Sequence, residues 1–361
     1  MQPFQYQQPA DAAGAVATVA ATDGAVFLGG GTNLVDLMKL GVEAPGLLVD
    51  VTRLPMDRIE PAPDGGLLIG AGVRNSNLAA DPRVTVIRGE LPDLAGDASG
   101  GRDALAGAGV IFHLAAAVSG ECEADFDLGV RANLRATESL LAACRAFGTS
   151  PVVVFSSSLA VFGASDEHPL PPVIDDHTLP TPQTSYGTQK FIGEQLLADY
   201  TRKGFLDGRA VRLMTVSVRP GRPNAAASGF LSGIIREPLA GLRSTCPVDP
   251  GTEVALASPA KAIDALLCAA SSSGQPWGGR TAVTMPALTV TVAEMAAALT
   301  RVAGPQVSAL IDWIPDPAVA RIVTSWPARV RADRATRLGL TPDPDFDWVI
   351  RTHLAESRGF G

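Results

Sequence analysis

Tyr186 and Lys190 are the residues whose types and spacing most clearly suggest chemistry. They stand four positions apart in SYGTQK, which is predicted to be helical, so both side chains lie on one helix face about one turn apart. A free tyrosine ionises near pH ~10 and is a poor base at neutral pH, but an adjacent ammonium group stabilises the phenolate. The pair therefore predicts removal of a proton from a substrate hydroxyl.

Ser158 closes the apolar run PVVVFSSS, which is predicted to be a buried strand ahead of the tyrosine helix. In an open α/β sheet, ligands bind at the carboxyl ends of the parallel strands, where this serine would lie. The Y-x-x-x-K spacing alone is a weak signal, because a surface helix meets it by chance. An exposed tyrosine and a strand-ending serine without a catalytic role are the alternative interpretation.

The elements that must position these residues alternate between strands and helices. After residue 84, helices are predicted over residues 102–108, 125–146 and around Tyr186, and they separate the strands TVIRGEL, VIFHLAA, PVVVFSSS and VRLMTVSVRP. This order predicts a parallel sheet covered by helices on both faces. Helices are also predicted near residues 228–239, 258–270 and 291–302, the last with Thr291 and Glu294 at capping-box spacing. This C-terminal region would cover the substrate.

The composition is that of a globular chain, with 46% hydrophobic and 18% charged residues among 361. A net charge of -8 argues against a nucleic-acid partner. The four cysteines form no C-x-x-C pair and the histidines lack metal-ligand spacing, so neither a metal site nor a disulfide is predicted. We find no secretory signal and no run of about 18 apolar residues, and expect a cytoplasmic protein without a membrane span.

HLAAAV, Asn133, SSSLAVFG, SYGTQK and RPG follow one another in an order that resembles the extended short-chain dehydrogenase/reductase family, the NAD-dependent epimerase/dehydratase group. The resemblance covers about residues 80–361. VSGECEADFDLGVRANL, TPQTSYGTQK and SWPARVRADRATRLG are most similar to the D-erythronate dehydrogenase-like group, which oxidises sugar acids. The resemblance implies an α/β Rossmann-like doubly wound parallel sheet with a smaller C-terminal substrate region, NAD as cofactor, and a homodimer as in many members.

The resemblance also implies a role for each matching residue. Tyr186 would be the base, Lys190 would lower its pKa and contact the nicotinamide ribose, Ser158 would hydrogen-bond the reacting oxygen, and Asn133 would support a proton relay. The cofactor would lie against His113, Leu114, Ala115, Ala116 and Pro220. The substrate would contact Ser119, Ser158, Asn224 and Arg236. The arginine fork fits the two oxygens of a carboxylate.

The N-terminal segment resembles a different family. MQPFQYQQPADAAGAV, LGGGTNLVDLMKLGV, LLVDVTRLP and LLIGAGVRNSNLAADPRV are similar to the start of the FAD-binding subunit of the xanthine dehydrogenase (molybdenum hydroxylase) family. The resemblance implies that the backbone of Gly29, Gly30, Gly31, Thr32 and Asn33 would wrap the pyrophosphate of FAD, a second candidate cofactor. A plain tight turn is the alternative.

Neither family pattern is complete. We interpret residues 1–83 as a partial FAD-binding segment, and residues 84–361 as an epimerase/dehydratase-like domain without its first β-α-β unit and Gly-x-x-Gly-x-x-Gly turn. The foreign β-turn-α-β unit at residues 25–51 would replace those strands, with Asp50 in the place of the ribose-binding acid. Its three glycines are adjacent and lack the spacing of a Gly-x-x-Gly-x-x-Gly turn, so the sequence does not identify a binding site for the pyrophosphate of NAD.

Three functional hypotheses follow from these patterns. The first is an NAD-dependent oxidoreductase that acts on a hydroxyl of a small sugar acid, with activity reduced by loss of the glycine-rich cofactor loop. The second is an FAD-binding electron-transfer or subunit-interaction protein of the molybdenum hydroxylase type. The third is an inactive chimera. The choice between NAD and NADP, the stereochemistry of the substrate and the oligomeric state are not fixed by the sequence.

Overall fold

The computed structural model describes residues 3–22, 24–28, 38, 45–54, 56, 58–61, 67–69, 73, 77–78, 80–96, 101–220, 226–272 and 277–357. Its strands are β1 (Gln5–Gln7), β2 (Ala25–Leu28), β3 (Leu47–Asp50), β4 (Ile59–Pro61), β5 (Leu67–Ile69), β6 (Val110–His113), β7 (Val152–Ser158), β8 (Asp207–Leu213), β9 (Thr215–Val216), β10 (Ser244–Cys246), β11 (Glu253–Ala257), β12 (Val283–Thr284), β13 (Leu288–Thr291) and β14 (Ile311–Trp313).

The α-helices are α1 (Ala12–Ala21), α2 (Leu91–Gly96), α3 (Gly101–Ala106), α4 (Ser119–Ala124), α5 (Phe126–Gly129), α6 (Ala136–Phe147), α7 (Ser185–Arg202), α8 (Phe230–Leu239), α9 (Pro259–Ser271), α10 (Val292–Ala303), α11 (Pro305–Ser308), α12 (Pro317–Thr324), α13 (Asp333–Arg337) and α14 (Phe346–Ser357). A π-helix (Val130–Arg135) connects α5 to α6, and a 3₁₀-helix (Leu159–Val161) follows β7.

The central sheet has four parallel strands in the order β12-β8-β7-β6. Side chains of β7 alternate between its faces, as the period of a strand requires. Val153 and Phe155 pack in one cluster with residues of α6 and α7, whereas Val154 packs in another with residues of α9. The sheet is therefore covered by helices on both faces, as predicted.

A buried ion pair fixes α7 against the end of this sheet. Glu194 of α7 accepts hydrogen bonds from Arg212 of β8 at 2.7 and 2.9 Å, and from the hydroxyl of Ser157 on β7. All three side chains are buried. Breaking such a pair leaves an uncompensated buried charge, so the position of α7 relative to both strand ends is well defined.

The C-terminal region surrounds a second core. β11 pairs with β9 in parallel and with β13 antiparallel, and β10 pairs with β14. Apolar residues of α8, α10 and α14 pack together here. The predicted helices near residues 228–239, 258–270 and 291–302 are present as α8, α9 and α10, and Thr291 and Glu294 form the predicted capping box.

The N-terminal strands form their own small sheet, which is parallel in the order β1-β3-β2. β4 and β5 form the predicted hairpin. Within the described residues, none of these strands pairs with the four-stranded sheet. That the 25–51 unit takes the place of the missing first strands of the Rossmann-like sheet stays a prediction.

Two predicted elements differ from the structure. TVIRGEL contains no strand residue, and its last residue, Leu91, begins α2. A strand forms only if its backbone groups find a partner, and β6 pairs with β7 alone among the described strands. The predicted 125–146 helix is interrupted by the π-helix, which holds the buried Asn133.

No helix in the described part of the chain is both long and apolar enough to cross a bilayer.

Candidate active site

A cavity of about 230 Å³ opens at the carboxyl ends of β7 and β8. Parallel strands of an α/β sheet place their ligands at this edge. The wall includes Ser158, Tyr186 and Lys190, so the structure brings together the three residues that the sequence pattern predicts. Its volume lies below the roughly 300–1,000 Å³ typical of drug-sized ligands, so it fits a small molecule. Further lining residues are Leu114, Ala116, Val118, Ser119, Leu159, Met214, Thr215, Arg219, Ser228 and Trp326.

Ser158 occupies the last position of β7 and caps the 3₁₀-helix that follows. Its hydroxyl oxygen accepts a hydrogen bond from the backbone N–H of Ala160 at 3.1 Å, which fixes the side chain toward the cavity. Tyr186 lines the same cavity, and the interaction of its phenol with the Ser158 hydroxyl acts to lower the pKa of the tyrosine. A substrate hydroxyl between these two groups would meet both a proton acceptor and a second hydrogen-bond partner.

Tyr186 and Lys190 are in the first turns of α7, which Thr184 caps through its hydroxyl. The ammonium of Lys190 lies 5.8 Å from the centroid of the Tyr186 ring, so the two side chains share one helix face as predicted. The ammonium is buried and donates a hydrogen bond of 2.7 Å to the carbonyl of Ser156. This bond anchors the lysine to the end of β7.

Burial controls the protonation of both groups. It raises the pKa of Tyr186 to about 12, although the Ser158 hydrogen bond and the charge of Arg219 act in the opposite direction. It also lowers the pKa of Lys190 to about 8, against the effects of Cys122 and Glu194. The expected lowering of the pKa of Tyr186 by Lys190 is not found here, because desolvation of the phenolate dominates.

Asn133 is buried in the π-helix and contacts neither Tyr186 nor Lys190 directly. Its side-chain oxygen accepts a hydrogen bond of 2.8 Å from the backbone of Ala117, and its amide nitrogen lies 2.8 Å from the side-chain oxygen of Gln189. Gln189 precedes Lys190 on α7. Asn133 therefore connects the segment after β6 to the helix that carries the tyrosine, and its predicted part in a proton relay stays a prediction.

His113 is a packed strand-end histidine. Its ring lies 2.8 Å from the hydroxyl of Thr137 and packs at 5.4 Å against Phe155. Burial, together with the charge of Lys190, lowers its pKa to about 4, so the ring is neutral at pH 7. His113 itself does not line the cavity, although its neighbour Leu114 does.

The other predicted contacts divide into two groups. Leu114 and Ala116 line the cavity, as does Ser119, whose hydroxyl accepts a hydrogen bond of 3.1 Å from Ala227. Ala115 and Pro220 are exposed and do not line it. Neighbouring residues of a loop point in different directions, which the sequence pattern does not reveal. Asn224 and the loop residues Gly29, Gly30, Gly31, Thr32 and Asn33 lie outside the described residues.

Arg236 is not among the residues that line the cavity, and its predicted role as a carboxylate clamp stays a prediction. Its guanidinium donates a hydrogen bond of 2.8 Å to the carbonyl of Arg219 and pairs with Glu237. Arg219 lines the cavity instead. The RPG motif after a strand end was the signal for Arg219, and Trp326 lies in the SWPARVRADRATRLG stretch that carries the family resemblance.

Asp50 forms internal hydrogen bonds at the end of β3. Its buried carboxylate accepts hydrogen bonds from the phenol of Tyr6, from Gln8 at 2.9 Å and from Thr52 at 2.7 and 2.8 Å. Burial alone would raise the pKa of Asp50, but these hydrogen bonds hold that pKa well below its usual range. These internal bonds occupy the carboxylate, and the role of Asp50 as the ribose-binding acid stays a prediction.

Comparisons with known proteins identify the family. Residues 68–255 match the NAD dependent epimerase/dehydratase family. The chain is also 50% identical over 278 residues to a D-erythronate dehydrogenase of Cupriavidus necator, which covers 77% of this chain and 83% of that protein. The chain belongs to the NAD dependent epimerase/dehydratase family. This confirms the predicted family and, with it, the prediction of an NAD-dependent enzyme.

Solved structures of this epimerase/dehydratase family agree with the fold. The nucleoside-diphosphate-sugar epimerase from Agrobacterium tumefaciens is 36% identical and superimposes with a TM-score of 0.70, over 100% of this chain and 98% of that chain. The similarity confirms the predicted Rossmann-like α/β fold class.

The N-terminal part of this family member has a second match. Residues 2–118 match the FAD binding domain in molybdopterin dehydrogenase. Over 84 residues the chain is 49% identical to the aldehyde oxidoreductase FAD-binding subunit PaoB of Escherichia coli, which corresponds to 23% of this chain and 26% of that protein. The predicted resemblance to a flavin-binding subunit is confirmed, and the chain spans about a quarter of that relative.

Proposed function

We propose that the protein is an NAD-dependent dehydrogenase that oxidises a hydroxyl group of a small sugar acid of the D-erythronate type. The observation that carries this proposal is the placement of Ser158, Tyr186 and Lys190 in the wall of one small cavity, with the Lys190 ammonium 5.8 Å from the centroid of the Tyr186 ring. The family membership and the 50% identical D-erythronate dehydrogenase support the same activity and substrate class.

In the proposed reaction, the substrate hydroxyl binds between Ser158 and Tyr186. Tyr186 accepts the hydroxyl proton while the hydrogen on the same carbon leaves with its electron pair, so the alcohol becomes a carbonyl. Bound NAD supplies the acceptor for that hydride. The phenol of Tyr186 has a raised pKa of about 12, so once deprotonated it is a strong base. The buried ammonium of Lys190 would stabilise the phenolate and contact the nicotinamide ribose.

The nicotinamide end of NAD fits the described residues better than the pyrophosphate end. Leu114, Ala116, Tyr186 and Lys190 provide an apolar wall and polar groups for the ring and its ribose. The described residues provide no spaced-glycine turn for the phosphates, and Asp50 is engaged elsewhere. We therefore expect weaker NAD binding than in a complete Rossmann fold.

The proposed division places a partial flavin-type segment at residues 1–83 and the dehydrogenase domain at residues 84–361. The two family matches overlap at residues 68–118, which is consistent with a joint inside this stretch. A cytoplasmic location and a homodimer stay predictions of the sequence.

Flavin binding is the second candidate function, favoured by the N-terminal match. Because this chain spans only about a quarter of the related flavin subunit, much of a flavin pocket would have to come from elsewhere. Purified protein that carries FAD in its absorbance spectrum would support this function over the first, and an inactive chimera would show neither flavin nor turnover.

The dehydrogenase proposal is tested by mixing purified protein, D-erythronate and NAD, and following the absorbance of NADH. We expect turnover by the wild type and a loss of about 10²- to 10⁴-fold in kcat for Tyr186→Phe, the range typical of a general base. Tyr200→Phe is the matched control, because Tyr200 lies on the same helix and packs against Phe205, away from the cavity. Equal rates for the two variants would contradict the role of Tyr186.

A further inference from the structure

Arg219 is a cation in the cavity wall that the proposed proton transfer does not use. It follows β9, is half-buried, and lines the cavity together with Tyr186 and Ser158. Its charge and the phenol of Tyr186 interact electrostatically, so the guanidinium lies close to the reacting group. Burial lowers the pKa of Arg219, and the like charge of Arg236 adds to this effect.

The backbone of Arg219 is held on both sides by α8. Its N–H donates a hydrogen bond of 3.0 Å to the hydroxyl of Ser232, and its carbonyl accepts the 2.8 Å bond from Arg236. Glu237 in turn pairs with Arg236. This network fixes the backbone from which the Arg219 side chain extends. Arg236 therefore has a positioning role for Arg219.

No carboxylate among the described residues forms an ion pair with Arg219. The arginines of the neighbouring elements are paired differently, since Arg212 binds Glu194 and Arg236 binds Glu237. A partly desolvated cation without an anion is costly, and the cost falls when a bound anion supplies the partner. A guanidinium is also the group best shaped to hold both oxygens of a carboxylate.

We propose that Arg219 binds the carboxylate of the substrate and thereby selects short hydroxy acids over neutral polyols. The carboxylate would sit between Arg219 and the Ser158–Tyr186 pair, so the oxidised carbon must lie close to the acid group. This inference rests on the proposed function only for the oxidation that follows binding. Binding of the carboxylate to Arg219 does not itself require hydride transfer.

The test is isothermal titration calorimetry of the full chain with D-erythronate and with erythritol, its neutral four-carbon analogue. Excess NADH is present, because it completes the cofactor site and cannot accept a hydride. We expect Arg219→Gln to weaken D-erythronate binding by about 30-fold or more, as loss of one partner of a desolvated charge pair does. Arg219→Lys keeps the charge but not the forked shape of the guanidinium. Its affinity for D-erythronate should therefore lie between those of the wild type and Arg219→Gln.

Arg321→Gln is the matched control, since Arg321 is exposed on α12. It should bind D-erythronate like the wild type, and erythritol should bind wild type and Arg219→Gln alike. Equal D-erythronate affinity in wild type and Arg219→Gln, or no D-erythronate binding by the wild type, would overturn the assignment. Binding that depends on Arg219 in a protein that never forms NADH would refute the dehydrogenase proposal and leave this one standing.

Discussion

Desolvation acts on Tyr186 and Lys190 in opposite directions, because each charged form is disfavoured in a buried site. The sequence reveals the pair and its spacing but not the depth of its burial. An expectation based on the charge of Lys190 alone therefore gives the wrong direction for the pKa of Tyr186, which is raised to about 12. The catalytic proposal requires that the positive charge of the oxidised nicotinamide lowers this pKa in the loaded site, against the negative charge of the substrate carboxylate.

The buried ammonium makes a prediction about stability. The pKa of Lys190 is lowered from 10.5 to about 8 on folding, so the unfolded chain holds a proton that the native protein has released between these values. Stability should therefore rise with pH across this window, by about 3 kcal/mol at most. In Lys190→Met this rise should disappear, as measured by urea unfolding at a series of pH values.

Lys203→Met is the control for Lys190→Met, because Lys203 is exposed at the end of α7. It should keep the pH dependence of the wild type. A Lys190→Met protein whose stability still rises with pH as in the wild type would show that the native lysine titrates normally.

Asp50 gives a pH dependence of the same sign in the acid range, because its pKa is also lowered on folding. The contribution of Asp50 to the free energy of unfolding is complete above the unfolded pKa of 3.8. This contribution is lost as pH falls below 3.8 toward the lower pKa of the native carboxyl. We expect Asp50→Asn to reduce the free energy of unfolding by about 1–3 kcal/mol at neutral pH, because the bonds from Tyr6, Gln8 and Thr52 lose a charged acceptor. Calorimetric NAD affinity should not change. A loss of NAD affinity without loss of stability would instead identify Asp50 as a ribose ligand.

At the scale of elements, the site depends on the close approach of α7 to the 3₁₀-helix after β7. A Cβ atom on Gly187 would collide with the carbonyl oxygen of Ala160, which is backbone and cannot move aside. Gly187→Ala should therefore separate Tyr186 from Ser158 and cost about 1–3 kcal/mol of stability. Urea unfolding and NADH formation measure the two effects.

Gly109→Ala is the control for Gly187→Ala, because a Cβ at Gly109 meets no atom within 4 Å. It should leave both stability and rate nearly unchanged. If Gly187→Ala were as stable and active as Gly109→Ala, the contact between α7 and the 3₁₀-helix would not control the site.

The elements that the sequence predicts well are those with strong local patterns. PVVVFSSS forms β7 and SYGTQK begins α7, so Ser158, Tyr186 and Lys190 meet as expected. Arg219 lines the cavity whereas Arg236 does not, and the local pattern does not reveal which way each side chain points from its element. TVIRGEL has strand-like residues but no described pairing partner, and long-range pairing is invisible in a local pattern.

For the whole molecule, two parallel sheets of different ancestry stand in one chain. The four-stranded sheet and α7 carry the proposed catalytic residues, whereas β1, β3 and β2 form a small sheet in which Asp50 bonds to Tyr6, Gln8 and Thr52. The family matches assign these parts to an NAD-dependent and a flavin-dependent family. We therefore place the proposed hydride transfer at the β7–β8 edge and expect cofactor affinity, rather than the arrangement of Ser158, Tyr186 and Lys190, to limit the rate.

Transfer of deuterium from carbon-deuterated D-erythronate to NAD is the most direct test of this account. Mass spectrometry of the recovered cofactor reports the transferred atom itself, and it does so even when turnover is slow. We predict deuterated NADH with the wild type and with Tyr200→Phe, and a strongly reduced amount with Tyr186→Phe. Recovered cofactor without deuterium, or equal labelling by the Tyr186→Phe variant, would contradict the claim that Tyr186 starts hydride transfer in this cavity.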